Sequence, residues 1–113
     1  MNYDYNANLK FEERVDIISK EILNAYPSIG KECAIKIASI EMPIDTYDIT
    51  DAKFKRLSNI LFFCRNDEII KNKVIEDILK SYKNLNIKNE KVDNYVNDII
   101  IYKKYDTELP LYK

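Results

Sequence analysis

The chain contains no histidine. That single absence removes the commonest general base, the commonest metal ligand and the side chain that switches charge near neutral pH. A Ser–His or Cys–His nucleophile pair is impossible, and so is the Glu-x-x-His arrangement of di-iron bundles. Glycine is nearly absent too, with Gly30 the sole example among 113 residues. Phosphate-cradling loops and dinucleotide fingerprints need several glycines, so neither can be built here. Tight β-hairpins also draw on glycine for left-handed backbone, which argues against a sheet-rich fold. Two cysteines, Cys33 and Cys64, are too few for a closed zinc site and lie in apolar helical stretches. They read as buried thiols.

Long apolar runs are missing as well. The longest is Ile60 to Cys64, far short of a membrane span. Met1 to Lys10 is polar and lacks the apolar core of a secretory signal, so a cytoplasmic protein is expected. Lys and Arg number 18 against 19 Asp and Glu, so there is no bulk electrostatic drive toward nucleic acid or anionic lipid.

What remains is a globular composition, 46% hydrophobic and 33% charged, in a length that suits a single domain. Apolar residues recur at helical spacing along most of it. Phe11, Val15, Ile18, Ile22 and Ala25 predict a first helix from about Leu9 to Tyr26, capped by Asn8 and ended by Pro27. Ser28 then looks like the cap of a second helix reaching Glu41, with a small-residue face of Gly30, Cys33, Ala34, Ile37 and Ala38 suited to close helix packing. Met42-Pro43 ends it, and Ile44 to Thr50 reads as a connector. A third helix, about Asp51 to Arg65 and capped by Asp48 or Thr50, carries Phe54, Leu57, Ile60, Leu61 and Cys64 on one stripe. Phe62 and Phe63 widen that stripe, which marks this helix as the centre of the core. Asn66-Asp67 caps a fourth helix over about Glu68 to Leu85. Its core stripe is Ile70, Val74, Ile78, Tyr82 and Leu85, opposite a solvated face of Lys71, Lys73, Glu76, Lys80 and Lys83. A fifth helix over about Glu90 to Tyr105 follows from Val92, Tyr95, Val96 and Ile99, although the β-branched run Ile99-Ile100-Ile101 would also suit a strand. Residues 106–113, with Pro110 inside, form a non-helical tail.

The expected fold is therefore all-α: a compact antiparallel bundle of four to five short helices in one domain over residues 1–113, with a possible short extended C-terminal segment at residues 98–105. Carboxylates such as Glu12, Glu13, Asp16, Glu76 and Asp77 sit on helix faces where solvated charge is the ordinary explanation. The expectation is a non-enzyme with no cofactor, no metal and no small-molecule substrate.

Nine tyrosines give the sequence its one positive signal. Tyrosine combines apolar area with a polar tip and is enriched at protein interfaces. AT-rich codon supply is a second source of its number, as it is for Ile, Lys and Asn. Several tyrosines stand beside acids, in Tyr3-Asp4-Tyr5, in Asp45-Thr46-Tyr47-Asp48 and in Tyr105-Asp106. An acidic, aromatic surface suits a partner protein with a basic surface. Tyr3, Tyr5, Asp45, Tyr47 and Asp48 are the candidate contact residues. The leading expectation is a bacterial or phage inhibitor or immunity-type protein that neutralises a toxin or another macromolecular partner. A helical DNA-binding regulator is the alternative, with Lys53, Lys55, Arg56 and Arg65 toward phosphate. Against it stand only three arginines (Arg14, Arg56, Arg65) and the lack of glycine in the turns of the two candidate pairs, helices two–three and three–four.

Overall fold

The computed structural model describes residues 11–41, 49–86 and 88–112. Its described elements are five α-helices: α1 (Phe11–Ala25), α2 (Lys31–Glu41), α3 (Ile49–Phe63), α4 (Glu68–Lys83) and α5 (Glu90–Tyr105). A 3₁₀ turn, Pro27–Ile29, separates α1 from α2, and no strand occurs among the described residues. The protein is all-α. Its contacts fall into two units, residues 1–44 and residues 45–113.

In the first unit α1 and α2 pack on each other. The buried line on α1 is Val15, Ser19, Ile22 and Tyr26, at steps of four, three and four. This is rotated from the expected stripe: Phe11 is 53% exposed and Ala25 is also exposed. Ser19 is tolerated inside because its hydroxyl donates to the Asp16 carbonyl at 3.0 Å. Pro27 ends α1, as expected, but Ser28 does not cap α2. It lies within the 3₁₀ turn, and the chain passes through Gly30 at φ 88° before helical geometry starts at Lys31. Only glycine adopts that backbone without strain, so the lone glycine of the chain sets where α2 begins. The small-residue face of α2 is buried as its pattern implied, with Ala34, Ile37 and Ala38 fully covered and Cys33 half-buried.

The second unit is a three-helix arrangement in which α3, α4 and α5 each contact the other two. Short connectors between consecutive helices make them antiparallel neighbours. The expected stripe of α3, Phe54, Leu57, Ile60 and Leu61 with Cys64 just beyond its end, is buried throughout. Phe62 and Phe63 sit half-buried with their rings edge-on at 5.7 Å, and the Arg65 guanidinium stacks 4.2 Å over Phe62. The helix starts at Ile49, so Thr50 lies inside it and not at its cap; the other candidate, Asp48, lies outside the described residues.

Asp67 caps α4 as expected, its carboxylate accepting from the Ile69 and Ile70 N–H groups at 3.1 Å each. Ile70, Val74, Ile75 and Ile78 are buried beneath it, while Tyr82 and Leu85 are only half-buried. Lys71 departs from its expected solvated face. Its ammonium donates to Glu68 Oε1 at 2.8 Å and to the Tyr102 hydroxyl of α5 at 3.4 Å. The Glu68 bond, then Tyr102, hold the Lys71 pKa above its usual range against the opposing pull of burial. A second polar tie joins the same helices: Tyr82 donates to Asp93 Oδ1 at 2.8 Å, which raises the phenol's pKa. The Ile99–Ile101 run is helical. Asn89 caps its helix by accepting from the Val92 N–H at 3.1 Å, and Val92, Tyr95, Val96 and Ile99 turn a continuous buried face inward. Period and cap together outweigh the local β preference of three isoleucines.

Candidate binding cleft

The sequence-derived contact residues Tyr3, Tyr5, Asp45, Tyr47 and Asp48 lie outside the described residues. Among the described ones, a concavity is built by α5 and the segment that follows it.

Asp106 ends α5 in left-handed backbone, at φ 51° and ψ 47°, with its N–H donating to the Tyr102 carbonyl at 2.8 Å. Aspartate is one of the few residues other than glycine that enter this region readily. The turn sends the chain back along the helix it has just left. From Tyr95 to Tyr105 the helix rises about 15 Å. Seven residues reach about 24 Å at full stretch, so 106–112 are long enough to return over that distance. Pro110 suits such a path because it has no N–H to leave unpaired.

The returning strap is anchored by Tyr112. Its N–H donates to the buried Ser58 Oγ of α3 at 2.8 Å, and its ring meets Tyr95 edge-on at 5.3 Å and 85°. The Lys91 ammonium lies 5.2 Å from the Tyr112 ring centre and 3.9 Å from Asp51 Oδ1. Tyr112 is buried, and Tyr95 still more so. Burial pushes the Tyr95 phenol up to about 12, with the neighbouring Ser58 hydroxyl pulling the other way. Tyr95 is therefore a neutral phenol at any physiological pH.

Between helix and strap lies an open cleft of about 600 Å³. One wall is the outward stripe of α5, Asn94, Asp98 and Ile101, at steps of four and three. Thr107 to Leu111 form the opposite wall, with Tyr95 and Tyr112 among the lining residues. Lys91 closes one end. Ile101 and Leu111, both lining residues, are each nearly half exposed. Asp98 and Glu108 stand among them, both exposed and neither in an ion pair with any described residue.

This arrangement has nothing nucleophilic activated within it and holds no trio of metal-ligating side chains among the described residues. It offers apolar walls, two tyrosine side chains and two carboxylates. Sequence reasoning missed it, because a strap of seven residues has no period to read. The available signal was Tyr112 itself, a large aromatic two residues after a proline.

Of the basic residues expected toward phosphate, Lys53 and Arg56 share one face of α3 at a step of three, while Lys55 projects about 200° from Lys53. Arg65 is folded onto its own helix, stacked on Phe62 and donating to the Phe62 carbonyl at 2.7 Å. No described helix is long and apolar enough to cross a membrane. Comparison of the chain with protein-family models, with curated proteins and with solved structures returns no match.

Proposed function

We propose that this chain is a non-catalytic protein-binding module, a stoichiometric inhibitor or immunity-type protein of bacterial or phage origin acting in the cytoplasm. Its partner is another protein with a basic surface. The observation that carries this reading is the cleft beside α5, where exposed aliphatic side chains and two carboxylates share one concave face. An apolar centre with a polar, charged rim is the anatomy of a protein-recognition surface. The acidic tyrosine segments at Tyr3, Tyr5, Asp45, Tyr47 and Asp48 supply further contacts in this proposal, with complementary charge speeding encounter.

The test starts with affinity capture by the full chain, followed by titration of the purified captured protein. A one-to-one complex in which that protein's activity is lost supports the reading. Replacing Asp45, Tyr47 and Asp48 together by alanine should then weaken the complex at least tenfold while helical content stays unchanged; unchanged affinity would remove that segment from the site. Formation of a duplex-DNA complex whose affinity falls steeply with salt, with no protein complex, would replace the reading by the regulator alternative.

A further inference from the structure

We infer that the cleft between α5 and the returning strap is a receptor for a single lysine or arginine side chain of a partner protein. The inference rests on the protein-binding reading and deepens it by naming what enters the cleft. Three observations carry it.

The first is shape. A long basic side chain has an aliphatic stem of three or four methylenes, which gains from apolar walls while its charged head stays near water. Ile101 on the helix side and Leu109, Pro110 and Leu111 on the strap side supply such walls. A cleft of about 600 Å³ is large enough for one side chain with adjoining backbone.

The second is charge. Asp98 and Glu108 lie on opposite walls, one on α5 and one on the strap, and neither is neutralised by an ion pair with a described residue. Among the described lining residues the one cation, Lys91, lies at Asp51 and the Tyr112 ring. Two carboxylates therefore face an entering group with one cation already engaged. This favours a cationic head over a neutral or anionic one.

The third is rigidity. The wall bearing Glu108 is held at both ends, by the left-handed turn at Asp106 and by Tyr112 seated on Ser58 and Tyr95. A pre-formed wall spares the ordering cost that a loose tail would incur on binding.

The experiment uses the isotope-labelled full chain and three blocked heptapeptides that differ only at the central residue: arginine, norleucine or glutamate, each flanked by leucines. Amide shifts are followed by NMR during titration at low salt. The expected result is saturable shifts confined to residues 91–112, with the arginine peptide bound at least fivefold more tightly than norleucine and glutamate the weakest. The double variant D98N/E108Q should abolish the arginine preference while leaving the norleucine affinity within twofold. Equal binding of the arginine and glutamate peptides, or shifts centred away from α5 and the strap, would overturn the inference. The captured partner protein provides the second arm. A tenfold loss of affinity in D98N/E108Q, at unchanged melting temperature, supports the cleft as its receptor. Unchanged affinity would overturn the cleft assignment and leave protein binding itself standing.

Discussion

Two aromatic residues at opposite ends of the described chain, Phe11 and Tyr112, show how differently its two units are held. Phe11 begins α1 in perfect helical register with Val15 and Ile18, yet more than half of it is exposed. Tyr112 belongs to no helix, yet it is buried. The first unit is held where α1 meets α2, through the line Val15, Ser19, Ile22 and Tyr26 and the small face Ala34, Ile37 and Ala38. The second adds directional polar ties to its apolar core: the Asp67 and Asn89 caps, Tyr82 to Asp93, Lys71 to Glu68 and Tyr102, and the Tyr112 N–H to Ser58. Such ties specify register and the path of an irregular segment, which apolar contact alone does poorly. The strap, and with it the cleft, is held by the last of these, the Tyr112 N–H on Ser58.

The sharpest way to break this comparison is to truncate both aromatics. Tyr112→Ala removes a buried ring and its edge-on contact with Tyr95, leaving only the backbone bond to Ser58 to hold the strap, and should cost about 3 kcal/mol in chemical denaturation. Phe11→Ala should cost under about 0.5 kcal/mol, as for an exposed position. Equal costs would show that exposure along the helical period, and not the polar ties, misstates what holds each end.

A smaller effect sharpens the same contrast by pH. The unfolded Tyr95 phenol titrates near 10, whereas in the fold it titrates at about 12. Between those values the unfolded chain gives up a proton that the folded chain keeps, so stability falls as pH rises through that window and is unaffected below it. The full two-unit difference corresponds to at most about 2.7 kcal/mol. Tyr95→Phe should flatten the decline measured by urea denaturation between pH 9.5 and 11.5. The residual slope comes from groups such as Lys71, whose raised pKa also favours the fold most strongly below that range. An identical slope in the variant would place the Tyr95 phenol in contact with solvent.

Most of the helical architecture was legible in the residue pattern because helices are local objects. The Phe54 to Cys64 stripe and the Asp67 cap are read from spacing and from one side chain's reach. The errors are non-local or conformational. Ser28 has the chemistry of a cap, but the positive φ of Gly30 two residues later decides where α2 starts. Lys71 looks solvated on a helical wheel and is instead drawn to Tyr102, 31 residues away. Isoleucines 99 to 101 are no such error: they left a strand open, but the expected helix forms because Val92, Tyr95, Val96 and Ile99 bury one helical face together. The cleft was least legible of all. It depends on the left-handed turn at Asp106 and on Tyr112 finding Ser58 across 54 positions of sequence, and neither leaves a periodic trace.

The central claim, that residues 106–112 form a fixed wall and not a loose tail, is tested most directly by hydrogen exchange at one amide. With its N–H bound to the buried Ser58 hydroxyl, the Tyr112 amide should exchange at least a hundredfold more slowly than in an unstructured peptide, and Ser58→Ala should remove most of that protection. Exchange of the Tyr112 amide at the unstructured-peptide rate in the wild-type chain would contradict the account.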